Sequence, residues 1–372
     1  MLQAGSSSSG SSSPVFLQSS EATSSDSYRK HISVAFPSHG SANQLRLFAD
    51  IPNCVKRDDV CPSKLLLERE QRLGGGDEET VSFIRGKRLL RELSTWGIGG
   101  PCNYFVEVFD EIQLISAIRF CATNSIEFLI IGKGSNCLFD DSGFDGCIIL
   151  NRITTFENIE DGVYRVGGGY PINKLGVQCS NAGFGGLEFA GGVPGTVGGA
   201  AFMNAGADGQ ETADSIESVE IITTDGIKRV LQRKELAFGY RTSSFQEMKD
   251  LAAIVSVTFR LNRSATAKTK LQRHLERRRK SQPIYQRSAG SVFRNPEGLG
   301  VSAGELIEKT GLKGFVLGGA KISELHANFF INFNRSSSKN MIDLINLVGE
   351  KVDQQFGIRL RKEIRIVPYN AS

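Results

Sequence analysis

The side chains in this sequence that could do chemistry fall in three short stretches. In Tyr240-Arg241-Thr242-Ser243-Ser244-Phe245 a guanidinium stands among aromatic and hydroxyl groups, an environment suited to gripping a carboxylate. Ser288-Ala289-Gly290-Ser291-Val292-Phe293-Arg294-Asn295-Pro296 surrounds a hydroxyl with small residues and places a cation three positions after it. Glu363, flanked by Leu360 and Ile364, is placed to turn inward at the end of the last apolar run. Taken singly, each is better accounted for by a surface ion pair or a turn serine. No histidine lies between His39 and His274, and His274 and His326 are isolated. A Ser-His-Asp triad, a multi-histidine metal site and a histidyl-linked flavin are therefore not expected in that stretch, and no metal is expected.

Two glycine-rich runs offer backbone in place of side chains. Gly132-Lys133-Gly134-Ser135-Asn136 follows a short buried strand and presents amides and two small polar groups to an anion, or forms a simple turn. The run from Gly191 to Gly206 contains Gly192, Pro194, Gly195, Thr196, Gly198, Gly199 and Asn204, and its apolar residues hold neither the 3.6 nor the 2.0 period. It is expected to be a loop whose backbone is itself the working surface, because glycine lets amides approach a phosphate or a planar ring. Both G-x-G-x-x-G and G-x-x-x-x-G-K-[ST] are absent, so neither dinucleotide nor P-loop binding is indicated. A pyrophosphate cradle of another kind and a tight turn between core elements both remain open.

These stretches need a scaffold, and 372 residues suffice for two or three domains. Of the 41 glycines, 22 lie between Gly97 and Gly209, marking that segment as rich in close backbone contacts. Net charge is +4, and the one basic concentration, Arg273 to Lys280, lacks interleaved aromatics. It is expected to be a solvated helix face or connector, with no nucleic-acid partner. The seven cysteines show no CxxC spacing, which favours a reducing compartment over a disulfide framework. No apolar run reaches the roughly 18 residues a membrane span needs, so a soluble protein without a membrane partner is expected.

Residues 1 to about 75 are a different material. Twelve serines fall in the first 27 residues, and only Glu21 and Asp26 are acidic before Asp50. This matches a serine-rich, acid-poor organellar transit peptide or a plain disordered tail. Beyond it, helices are expected at Val81–Leu93, Glu111–Asn124, Ile172–Ala182, Ser302–Thr310 and Ser338–Phe356. Strands are expected at 103–108, 128–131, 147–150, 163–166, 219–223, 254–259, 315–317, 329–332 and 364–367. Asn262 to Lys280 is expected to be a polar connector. The mixture points to α+β layers and not to a doubly wound parallel sheet.

Taken together and in order, the segments Ser94–Gly100, Gly132–Leu138, Gly191–Gly206, Tyr240–Phe245, Ser288–Pro296, Gly319–Phe329 and Gly357–Ile364 resemble the UDP-N-acetylenolpyruvoylglucosamine reductases, also called UDP-N-acetylmuramate dehydrogenases. The likeness spans roughly residues 88 to 368. It implies an FAD-binding domain of the vanillyl-alcohol-oxidase type in two α+β subdomains (76–262), then a C-terminal α+β substrate-binding domain (263–372), after a 1–75 tail. The resemblance also implies noncovalent FAD held by Gly132–Asn136 and the glycine-rich run, with NADPH as reductant and a UDP-sugar as substrate. Hydride would pass through flavin N5 to the vinyl carbon of the enolpyruvyl ether. Arg241 and a protonated Glu363 would stabilise the resulting enediolate, and Ser291 would protonate the α-carbon. Tyr240, Arg294, Asn295, His326 and Asn328 are the candidate substrate contacts. Arg294 departs from the family's usual lysine.

No counterpart of one subtype's tyrosine loop lies between Phe245 and Ser288, so the shorter subtype is the better match. The tail suggests a plastid, with a mitochondrion the second choice, and a monomer is expected. A sugar-acid or lactone oxidase of the same fold, and a catalytically silent flavin-binding protein, are the alternatives.

Overall fold

The computed structural model describes residues 31–35 and 80–369. In chain order the first part holds β1 (His31–Ala35), β2 (Thr80–Leu89), β3 (Pro101–Val108), α1 (Glu111–Thr123), β4 (Phe128–Ile131), β5 (Cys137–Phe139), β6 (Phe144–Asn151), β7 (Phe156–Glu160) and β8 (Val163–Gly167). It continues through α2 (Ile172–Asn181), α3 (Val197–Met203), β9 (Ile216–Thr223), β10 (Lys228–Gln232) and β11 (Leu251–Arg260). One sheet runs β1-β2-β3-β6-β4, with β6 parallel to both neighbours. Flanked on each side, β6 is apolar along most of its length, as a covered parallel strand must be. The other sheet, β10-β9-β11-β8-β7, is antiparallel throughout. Both share one hydrophobic core.

The second part begins with α4 (Ala267–Ser281) and continues with β12 (Ser288–Ser291), α5 (Ala303–Lys309), β13 (Val316–Leu317), β14 (Ala320–Ile322), β15 (Phe329–Asn332), α6 (Ser338–Phe356) and β16 (Arg365–Val367). Strands β12-β15-β14-β13 form an antiparallel sheet, against whose core α6 buries Met341, Leu344, Ile345, Val348 and Val352. That core also takes Trp96, Ile98 and Leu138 from the first part. The Trp96 indole donates to the Phe330 carbonyl at 2.7 Å, and the Asn332 amide donates to the Trp96 carbonyl at 2.8 Å. Finally β16 returns to lie parallel to β5. The two parts are thus stitched at both ends of the second.

Four expectations change. Val81–Leu93 is not a helix: Thr80–Leu89 is a strand, followed by one 3₁₀ turn at Leu90–Glu92. Residues 86 and 87 fall where the β2–β3 register shifts, so Gly86 serves a bulge and not a helix interior that it would weaken. Asn262–Lys280 is not a plain connector, because residues 267–281 are helical and bury Ala267 and Leu271, an i,i+4 pair, with Leu271 against Gly191 of the glycine-rich run. The run itself is not all loop. Thr196 caps the buried α3 by accepting from Gly199 N–H at 3.4 Å, and Asn204 ends it in a left-handed conformation. Seven residues are too few for a period to register. The tail assigned to 1–75 lies outside the described residues except for residues 31–35, which form β1 and pair with Thr80–Ile84.

Candidate active site

Backbone pairing brings Ser291, Arg294 and Glu363 together. Glu363 N–H donates to the Val292 carbonyl at 2.7 Å, Arg294 N–H donates to the Arg361 carbonyl at 2.8 Å, and Phe293 bridges Lys362 in antiparallel sense. Asn136 then joins this short ladder to the first part: its amide donates to the Glu363 carbonyl at 3.0 Å, and its own carbonyl accepts from Arg365 N–H at 2.9 Å. The Gly132–Asn136 loop and the Ser288–Pro296 segment, far apart in sequence, therefore share one crease.

Arg241 reaches into this crease from the first part. Its Nε donates to Glu363 Oε1 and its Nη2 to the Gly206 carbonyl, both at 2.8 Å, and its guanidinium lies over the Tyr240 ring at 5.0 Å. The residue sits at φ +57°, a left-handed conformation that an arginine adopts at a cost of about 1–3 kcal/mol. Neighbours hold it there. Gln246 donates to the Arg241 carbonyl at 3.0 Å, and the fully buried Asn204 donates to the Gly239 carbonyl at 3.0 Å. Side-chain exposures of 16% and 7% make the Arg241–Glu363 pair a largely water-excluded one. Burial pushes the Glu363 carboxyl up, and the charges of Arg241 and Arg294 only partly oppose it. With Oε1 accepting from Arg241, Oε2 is the oxygen able to carry a proton. The Arg294 Nε is buried with no partner among the described residues.

The other named residues divide. The Tyr240 hydroxyl accepts from Asn295 N–H at 3.3 Å, docking the arginine turn on the Ser288–Pro296 segment. Asn295 Oδ1 accepts from Ala303 N–H at 3.0 Å, fixing the start of α5. Asn328 commits both ends of its amide to Phe293, accepting at 2.9 Å and donating at 2.7 Å, so it positions the Ser291 segment instead of facing a ligand. His326 accepts from Asn328 N–H at 3.2 Å and packs edge-on against Phe329, and burial lowers its pKa. Two arginines escaped the sequence reading. Arg365, two residues after Glu363, is pushed down to about 10 by burial. Arg278, also pushed down to about 10 by burial, lays its side chain where a Cβ on Gly192 would come within 2.7 Å. The signal for Arg365 was its i,i+2 spacing from Glu363; for Arg278 it was hidden in a run of like charges.

The fit to an anionic cofactor can be judged from the loops. Gly195 (φ +146°) and Gly134 (φ +53°) have backbones that disfavour any side chain, and a Cβ on Gly195 would meet nothing nearer than Ile172 at 3.6 Å and Ser135 Oγ at 3.8 Å. Ser135 donates to the Pro194 carbonyl at 3.4 Å, which joins the two glycine loops into one concave wall. Arg278 stands beside this wall, and no carboxylate among the described residues is ion-paired with it, since Asp208 engages His274 and Arg277. Such a wall fits a pyrophosphate. Gly192, by contrast, is glycine because α4 packs on it, and Gly198 because its N–H donates to the Gly168 carbonyl at 2.9 Å with no room between. Thr196 and Asn204 serve caps and turns, and Gly206 serves Arg241. Gly132 and Lys133 lie in the loop joining β4 to β5, and Gly199 lies in α3.

The comparisons agree with this division. An FAD binding domain matches residues 102–231, which makes the first part a flavin-binding module. The C-terminal domain of UDP-N-acetylenolpyruvoylglucosamine reductase matches residues 282–367. Reductases of that name from Protochlamydia amoebophila and Chlamydia abortus are 49% and 46% identical, over 76% and 77% of this chain and 94% and 95% of theirs. The crystal structure of the Thermus caldophilus enzyme superposes with a TM-score of 0.64 at 33% identity, covering 76% of this chain and 99% of that one. The chain belongs to the UDP-N-acetylenolpyruvoylglucosamine reductase family.

Proposed function

We propose that this protein reduces UDP-N-acetylenolpyruvoylglucosamine to UDP-N-acetylmuramate, a peptidoglycan precursor, with bound FAD and with NADPH as reductant. The observation that carries the reading is the buried Arg241–Glu363 pair, at the junction between the FAD-binding part and the ladder that bears Ser291. Bound FAD supplies hydride transfer between the nicotinamide and the enolpyruvyl ether. The chain supplies the rest. Hydride arriving at the vinyl carbon drives charge onto the carboxylate, and a dianionic enediolate in a dry crease needs fixed positive charge. Arg241 and Arg294 supply it, and Glu363, whose carboxyl burial pushes toward the protonated form, adds a donor when it carries the proton. Ser291 then gives its proton to the α-carbon, with position compensating for its weak acidity. Nucleotide and NADPH take turns in one pocket.

The absence of a long insertion between Phe245 and Ser288 supports the shorter subtype, and the composition of residues 1–75 supports import into a plastid. The working protein is a monomer of two units, 76–262 and 263–372. A fusion of residues 1–79 to a fluorescent protein tests the import, and a diffuse cytosolic signal would refute it.

The function is tested by anaerobic stopped-flow on the FAD-bound protein. After reduction with NADPH, rapid return of the oxidised flavin band on adding UDP-N-acetylenolpyruvoylglucosamine is expected. Reduced flavin that ignores this nucleotide but reacts promptly with oxygen would move the assignment to an oxidase, and the absence of bound flavin would move it to a silent protein.

A further inference from the structure

The hairpin Gly206–Glu211 links Arg241 to α4. Its strands pair Gly206 with Glu211 and Ala207 with Gln210, leaving a two-residue tip, Asp208-Gly209, with φ of +54° and +81°. Both signs fit a type I′ turn, which Asn-Gly would form equally well. What asparagine cannot supply is the charge. Asp208 Oδ2 lies 2.5 Å from His274 Nδ1, and Oδ1 forms an ion pair with Arg277 Nη1 at 2.8 Å, with Asp208 and His274 only 23% and 20% exposed. Two residues before Asp208, the Gly206 carbonyl accepts from Arg241 Nη2. That carbonyl and Glu363 Oε1 receive the two hydrogen bonds of this guanidinium, so together they set the angle of its planar fork. On its other side α4 seats on the glycine-rich run, Leu271 against Gly191 and Arg278 against Gly192.

We propose that Asp208, with His274 and Arg277, is a positioning residue for the reaction: it clamps the hairpin to α4 and thereby fixes Arg241 toward the substrate carboxylate. The clamp rests on the function proposed above, and it predicts a division between half-reactions. Arg241 meets the enolpyruvyl carboxylate only in the second, so disturbing the clamp slows flavin reoxidation and spares flavin reduction.

The test is D208N in the full-length FAD-bound protein, which keeps the turn and one acceptor. Reoxidation by UDP-N-acetylenolpyruvoylglucosamine should slow about tenfold, while reduction by NADPH stays within about twofold and the flavin spectrum is unchanged. In a double-mutant cycle with R241K the two losses should not multiply. Equal slowing of both half-reactions, no slowing, or full multiplication with R241K would overturn the clamp. Should the wild type fail to be reoxidised by the nucleotide, the function falls. The clamp is then judged by the exchange rate of the Arg241 Nε–H in arginine-labelled protein, expected to rise about tenfold in D208N and overturned by no change.

Discussion

Asn204 and Glu363 are buried alike, 0% and 8% exposed, on opposite sides of the same crease, yet their polar atoms are disposed differently. On the glycine-rich side Asn204 donates to Gly239 and Glu211 and accepts from Ala213, so its amide is fully occupied by the fold. On the C-terminal side Glu363 gives one oxygen to Arg241, while the neighbouring Arg294 Nε has no partner at all among the described residues. A folded protein tolerates such an orphan poorly, and the cost concentrates where a ligand repays it. The first region offers backbone shape to a ligand, the second a polar group left incomplete. Residue type names a possible chemistry; the partners decide whether it is available.

Ser291→Ala breaks the comparison most directly, because it removes one atom from the incomplete side and touches no partner of the other. Reoxidation of reduced flavin by the enolpyruvyl nucleotide should fall about 10²–10⁴-fold, the range of a lost general acid, with reduction by NADPH unchanged. A drop below tenfold in stopped-flow would assign the proton to another group. Arg241→Met is next. It should lower the same step about 10²–10³-fold, while the fold, with Glu363 protonated, loses only the hydrogen bonds to Glu363 and Gly206, about 1–2 kcal/mol. Urea denaturation measures the second effect, and a loss of about 3–5 kcal/mol would mean that Glu363 is ionised and depends on its cation.

The sequence made the first region harder to interpret than the second. Tyr240–Phe245, Ser288–Pro296 and Glu363 were recognisable because the chemistry rests on side chains whose types can be read, and the ladder of Val292 with Glu363 assembles them. The glycine run was legible as unusual and not as to why: Gly191 and Gly192 make room for Leu271 and Arg278, 80 and 86 residues on, and Thr196 caps a helix too short to show a period. Trp96 shows the same limit. Its motif stood out, but only packing reveals that the side chain is a rivet into the second core. The helix α6 was readable because its period is sustained over 19 residues, and β4 because all four of its residues are apolar. Gly86 and the α4 run show that local pattern yields where a partner lies far along the chain.

A smaller effect sharpens the Glu363 side. Burial raises its folded pKa above the ordinary 4.5, so the folded state holds the proton more tightly than the unfolded one. Its contribution to stability is then whole below about 4.5 and is lost as pH rises through the higher folded value. Glu363→Gln cannot titrate. The stability difference between wild type and Glu363→Gln should therefore stay flat below pH 4.5 and move against the wild type above it, by about 1.4 kcal/mol per pH unit until the folded carboxyl ionises. A difference that moves in favour of the wild type as pH rises toward 4.5 and is flat above it would mean Arg241 and Arg294 outweigh burial.

Arg294→Lys should change least. The backbone of residue 294 makes its bond to Arg361 whatever the side chain, and the Nε has no partner among the described residues, so none of them is shown to rely on the planar fork. A lysine would deliver the same charge to the crease from a flexible stem. Its KM for the nucleotide should stay within about threefold of wild type, with Arg294→Met raising KM at least about tenfold as the control for charge. If lysine is as damaging as methionine, the ligand engages the guanidinium in a bidentate grip. The incomplete side of the crease would then be built for one planar anion and not merely for negative charge.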